Sequence, residues 1–108
     1  MLYDILEQIE KLIRRESQKE EFMELNRILL KLSGEALAGN AGKGFSEDEV
    51  MRVASEVKKV TDLGIQVCVV IGGGNFWRGR SSNDMDRVKA DQIGMLATVM
   101  NCIYAADA

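Results

Sequence analysis

The chain has 108 residues, a single domain's length, with 46% apolar and 29% charged residues, which excludes a disordered or collagen-like polymer. Its net charge of −3 resides in positions 1–24, where seven acids face four bases, so the rest is neutral and offers no basic surface for nucleic acid. The absence of histidine excludes imidazole acid–base catalysis, Ser-His and Cys-His pairs and His-ligated metals, and the longest apolar run, Val67 to Ile71, is far too short to span a bilayer.

Residues 1–22 place Leu2, Ile5, Leu6, Ile9, Leu12 and Ile13 three and four apart, the spacing of an amphipathic helix. A different pattern starts at Met23, which divides the chain into an appended helix over 1–22 and a body over 23–108. Asp4, Glu7 and Glu10, with no base before Lys11, are wrong for a secretory signal. The run Ile28 to Leu32, closed by Ser33-Gly34, reads as a buried strand ending in a turn. Gly39, Gly42 and Gly44 then mark a mobile loop. Ser46 followed by Glu49 is a capping box that opens a helix carrying Val50, Val53, Ala54, Val57, Val60 and Leu63 at helical period, with Gly64 as its C-terminal stop. Gln66 to Ile71 has the composition of a strand buried on both faces, and Gly72-Gly73-Gly74-Asn75 ends it. After a polar loop from Arg78 to Asp86, a second helix is predicted from about Val88 to Ala106, with Ile93, Leu96, Ala97, Met100 and Ile103 or Tyr104 on one face. Met85, Met95 and Met100 read as packing residues, and Trp77 as a partly exposed loop aromatic or part of a subunit contact. Cys68 and Cys102 read as two reduced, packed thiols, which points to the cytosol.

Strand, helix and strand in this order form a parallel crossover unit and an α/β fold. A two-stranded parallel sheet cannot shield its faces and edges, so the expectation is a fragment, or a chain completed by another. Both glycine loops follow the carboxyl ends of strands, where open α/β sheets bind ligands and where phosphate needs close backbone approach. Neither common motif fits: the loop around Gly42-Lys43 has Leu37 and Gly44 where a P-loop needs glycine and Ser or Thr, and Trp77 stands where a dinucleotide fingerprint needs its third glycine. Lys31, in an otherwise apolar strand, is either a snorkelling edge residue or a phosphate ligand; Arg78 is either a phosphate fork or a solvated loop arginine.

The segments Lys31-Leu32-Ser33-Gly34-Glu35-Ala36-Leu37, Val70-Ile71-Gly72-Gly73-Gly74-Asn75, Arg78-Gly79, Met85-Asp86-Arg87 and Asp91 to Asn101 resemble the N-terminal part of the bacterial UMP kinases, within the amino-acid kinase superfamily. The resemblance implies a parallel sheet with helices on both faces, incomplete in this chain, and transfer of the ATP γ-phosphoryl group to UMP in pyrimidine nucleotide synthesis. It implies that Lys31 contacts the transferring group, that Leu32, Ser33 and Gly34 line the ATP phosphates with Gly74 and Arg78, and that Gly73 and Asp91 bind UMP, the latter through ribose hydroxyls. Asp91 also reads as a helix-start acid favoured by the dipole. Residues Gly39, Asn40, Ala41, Gly42, Lys43 and Gly44 match the region for allosteric activation by GTP. Mg²⁺ held through the ATP phosphates rather than by protein ligands, inhibition by UTP, a homohexamer and a cytoplasmic location follow from the same resemblance. Since the acceptor is a phosphate oxygen largely ionised near neutral pH, no histidine base is required. The family's chain is about twice as long, so the expectation is little activity from this chain alone. A non-catalytic nucleotide-binding or assembly module, or another amino-acid kinase, are the alternatives.

Overall fold

Short, nearly continuous aliphatic runs closed by turn residues make 27–32 and 66–71 into strands. In the computed structural model, which describes Glu7, Lys11 and residues 25–77 and 84–108, β1 is Arg27–Leu32 and β2 is Gln66–Ile71. They pair in parallel, with Arg27 opposite Gln66 and Leu32 opposite Ile71. The predicted helix over 1–22 lies outside the described residues apart from Glu7 and Lys11. These two are helical and form an exposed ion pair at 2.5 Å, in which the Lys11 hydrogen bond and charge hold the Glu7 carboxyl below its ordinary range.

Between the strands the chain makes two 3-10 turns, Gly34–Leu37 and Gly39–Ala41, and then helix α1, Glu47–Thr61. The Ser46 hydroxyl accepts from the Glu49 N–H, as the capping box requires, but the reciprocal half differs: the Glu49 carboxylate takes Arg52, and the Ser46 N–H donates to the Leu37 carbonyl at 2.7 Å. Gly64 holds φ +83°, the left-handed conformation that ends this helix without a Cβ penalty. Helix α2, Arg87–Asp107, begins on Asp86, whose carboxylate accepts from the N–H of Val88 at 2.8 Å and of Lys89 at 3.2 Å. Asp86→Ala is therefore expected to lower stability by about 1 kcal/mol in urea denaturation; an unchanged midpoint would refute the cap.

Both helices pack on one face of the sheet. The core is Leu32, Leu37, Val50, Val53 and Ile71, with Leu30, Val69, Tyr104 and Ala105 against it. The other face, with Leu29, Lys31, Cys68 and Val70, is exposed among the described residues. The two-sided burial expected of Gln66–Ile71 is thus corrected to alternating burial, because an all-apolar strand looks alike in sequence whether one or both faces are covered. The architecture is α/β with an incomplete parallel sheet.

Helix α2 turns its small residues inward. Its buried side is Ala90, Ala97 and Asn101, while Ile93, Leu96, Met100 and Ile103 are exposed, Leu96 at 66% and Ile103 at 68%. Small residues face inward because the backbone of the second glycine loop lies against them: a Cβ on Gly73 would come within 2.9 Å of the Ala97 Cβ and 3.0 Å of the Gly94 carbonyl. Met85 and Met95 are likewise exposed rather than packed, and so are the free thiols Cys68 and Cys102. Trp77 is half-buried over Gly94, and its Nε1 has no hydrogen-bond partner among the described residues.

Candidate functional site

The parallel register brings Leu32 level with Ile71, so the loops that follow the two strands leave the sheet side by side. The Gly72 N–H donates to the Leu32 carbonyl at 3.0 Å, carrying the pairing one step past the strands. Beyond that point the loops touch through backbone. A Cβ on Gly34 would sit 2.5 Å from Asn75 Oδ1, 2.6 Å from the Gly72 carbonyl and 2.8 Å from the Gly74 nitrogen. No side chain fits there, which is why position 34 is glycine.

A buried amide pair holds this junction. Asn75 and Asn101 are 1% and 0% exposed. Asn75 Nδ2 donates to Asn101 Oδ1 at 3.0 Å, and Asn101 Nδ2 donates to Asn75 Oδ1 at 2.7 Å. Asn101 Nδ2 also donates to the Gly72 carbonyl at 2.7 Å, and Asn75 Nδ2 to the Gly44 carbonyl at 2.9 Å. The Gly44 N–H returns to the Asn75 carbonyl at 2.9 Å. One pair of carboxamides therefore ties helix α2, the second glycine loop and the segment 39–44 together, and full satisfaction makes its burial tolerable. The segment 39–44, expected to be a mobile loop, is a 3-10 turn followed by left-handed Gly42 and Gly44 and is fastened at its end by these bonds.

Around the junction the structure places the predicted residues as follows. Lys31 is exposed on the open sheet face, and no ion-pair partner for it exists among the described residues. Leu32 is 2% exposed and lies in the core, so only its backbone borders the site. Ser33 is exposed, and its hydroxyl makes no capping bond to the turn it precedes. The N–H groups of Gly34, Gly73 and Gly74 make no backbone hydrogen bond among the described residues, which leaves backbone donors at the junction of the kind that can receive anions. The Glu35 carboxylate rests over Gly74, 2.8 Å from where a Cβ would stand. Asp91 is exposed on α2 one turn before Gly94, where it accepts from Arg87 Nε at 3.1 and 3.2 Å. Asn40, Ala41 and Lys43 are exposed beside the left-handed glycines. Arg78 lies outside the described residues.

Residue inspection missed the Asn75–Asn101 pair as a structural unit and Arg87 as the partner of Asp91. A signal existed for Asn101: an amide four residues after Ala97 and three before Tyr104, on the small-residue side of an otherwise apolar helix.

Residues 26–108 match the amino acid kinase family. Among solved structures, the crystal structure of UMP kinase from Bacillus anthracis superimposes with a TM-score of 0.69 at 44% identity, over 74% of this chain and 34% of that one. UMP kinase from Ureaplasma parvum gives a TM-score of 0.68 at 34% identity, over 76% of this chain and 37% of that one. The chain thus spans about a third of the length of each.

Proposed function

Because this chain belongs to the amino acid kinase family, we propose that its paired glycine loops bind the phosphates of ATP and UMP for transfer of the γ-phosphoryl group to UMP. The observation that carries this reading is the junction of Gly34 with Gly72–Gly74, where two glycine loops meet through backbone at the ends of parallel strands, the first of which carries Lys31. The similarity to two UMP kinases supports the choice of acceptor.

In this reading the Gly34 N–H and the Ser33 hydroxyl bind ATP phosphate oxygens. The Lys31 ammonium lies against the transferring group, where its charge counts most as negative charge spreads over the equatorial oxygens. Gly73 and Gly74 let both phosphate chains approach without a side chain between them. Asp91 accepts from the UMP ribose hydroxyls, with Arg87 orienting its carboxylate. Arg78 is assigned to phosphate by its place after the loop. Backbone donors of the glycine loops and the Lys31 ammonium are groups suited to the ATP phosphates rather than to a metal, so the metal would be held through those phosphates. When bound through the ATP phosphates, Mg²⁺ supplies charge neutralisation of those oxygens. The rigid link of residues 39–44 to the second loop through Asn75 is consistent with a regulatory role for that segment, with GTP as its ligand. A homo-oligomer in the cytoplasm, inhibited by UTP, belongs to the same proposal.

Lys31→Ala should weaken Mg-ATP binding by about 10- to 100-fold, the value of one charge-assisted contact of about 1.5–3 kcal/mol, with little loss of fold because the side chain is exposed. Thermal protection of the chain by Mg-ATP and by UMP reads both parts. Equal protection of wild type and variant would remove Lys31 from the site, and absence of any protection by UMP would remove the acceptor assignment. A coupled ADP-release assay then tests whether the 108-residue chain turns over.

A further inference from the structure

Two successive peptide groups of the second glycine loop have their carbonyls fixed from within the protein. The Gly72 carbonyl accepts from Asn101 Nδ2 at 2.7 Å, and the Gly73 carbonyl accepts from the N–H groups of Phe76 at 3.0 Å and Trp77 at 3.1 Å. The Gly72 N–H is taken by the Leu32 carbonyl at 3.0 Å, so the backbone donors left over in Gly72–Gly74 are those of Gly73 and Gly74. Among the described residues the peptide bonds are trans, which points each N–H opposite the carbonyl of the residue before it. Pinning the carbonyls of Gly72 and Gly73 therefore sets the directions of the Gly73 and Gly74 N–H groups.

The two peptides are held differently. The 73–74 peptide is secured by two backbone donors of the turn that follows it. Among the described residues the 72–73 peptide is secured by the Asn101 side chain alone, and it joins two glycines. Turning it over changes ψ of Gly72 and φ of Gly73, and glycine accepts either sign of φ. A larger residue at 73 would resist that turn, but none fits: its Cβ would lie 2.9 Å from the Ala97 Cβ, 3.0 Å from the Gly94 carbonyl oxygen and 3.1 Å from the Thr98 nitrogen. Position 73 is thus glycine because of its packing on α2 and not because of its φ, which lies outside the left-handed region. Close packing leaves a peptide free to turn, and Asn101, on the same helix, removes that freedom.

We propose that Asn101 is a positioning residue for anion binding, a role that rests on the phosphate reading given above. Its donation to the Gly72 carbonyl keeps the Gly73 N–H pointing away from Asn101 and available to a phosphate at the loop junction. Turned over, the same peptide presents a carbonyl dipole in place of the donor, and attraction for the anion becomes repulsion. The amide is suited to the task. A carbonyl can be met only by a donor, which places Nδ2 at Gly72, while Oδ1 is held by Asn75 Nδ2 at 3.0 Å. With Asn101 at 0% exposure, bulk water does not replace the bond.

Inorganic phosphate titrated into the isotope-labelled chain should move the amide resonance of Gly73 together with those of Gly34 and Gly74. Movement of Gly34 and Gly74 without Gly73 would overturn the role of Asn101 and leave the phosphate reading standing; movement of none would overturn both. Asn101→Leu has the same branched shape and no donor, and it should weaken phosphate binding by at least about tenfold. Asn75→Leu breaks the same amide–amide bonds but leaves Asn101 Nδ2 on the Gly72 carbonyl, so its affinity should stay within about threefold of wild type. Equal losses in the two variants, or no loss in either, would show that the pair serves stability alone. The wild-type titration decides the question without requiring either variant to fold.

Discussion

Gly34→Ala should be among the most damaging single substitutions in the body, lowering stability by about 2–3 kcal/mol. Its new methyl would lie 2.6 Å from the Gly72 carbonyl and 2.8 Å from the Gly74 nitrogen, and both obstacles are backbone. The loops must part to admit it, so the same substitution should also abolish protection by Mg-ATP. Gly42→Ala is the control. Position 42 has φ +69° with nothing within 4 Å of the added carbon, so its cost is left-handed strain alone, about 1 kcal/mol. Urea denaturation of the two variants compares crowding with strain directly. Equal losses would mean that the loop junction yields more easily than its distances indicate.

The second large effect is expected at Asn101. Asn101→Ala removes two donated bonds and one accepted bond from a side chain with no exposure, takes a donor from the Gly72 carbonyl and leaves part of the Asn75 carboxamide buried without a partner. At about 1–3 kcal/mol for each stranded group, partly offset by the Asn75 bond to Gly44, the loss should be about 3 kcal/mol. A double-mutant cycle with Asn75→Ala should return a coupling of at least about 1 kcal/mol, since each amide is the other's partner. Additive losses would show that the two amides act through their backbone contacts alone. This pair also joins the glycine-loop junction to the segment 39–44, because the Asn75 amide and carbonyl both end on Gly44.

Strand and helix positions were readable because their signals are local. Ser46 before an acid-rich first turn, Gly64 at a helix end and two aliphatic runs closed by glycine are each decided within a few residues, and all four features appear where expected. The place of the glycine loops at the carboxyl ends of parallel strands followed from the crossover order. Burial was less legible. The face of α2 that carries Ile93, Leu96 and Met100 is exposed, and beside the second glycine loop Gly73 comes so near Ala97 that only a small residue fits there. Cys68, Met85 and Met95 looked like core by composition and are exposed, because an apolar side chain carries no label for which neighbour covers it.

The sequence by itself determined the α/β class, the order of strand, glycine turn, helix, strand and glycine turn, and the residue types at the strand ends, Lys31, Ser33 and the glycines of both loops, on which the proposed phosphate site rests. Those properties depend on periodicity, turn chemistry and charge, all of which act over short stretches of chain. Only the tertiary structure decided that both helices share one sheet face, that Gly34 and Gly72–Gly74 meet through backbone, and that Asn75 and Asn101 form a closed amide pair across 26 positions. Close approach and hydrogen-bond satisfaction are relations between distant segments, fixed by the parallel register and by what a Cβ would strike.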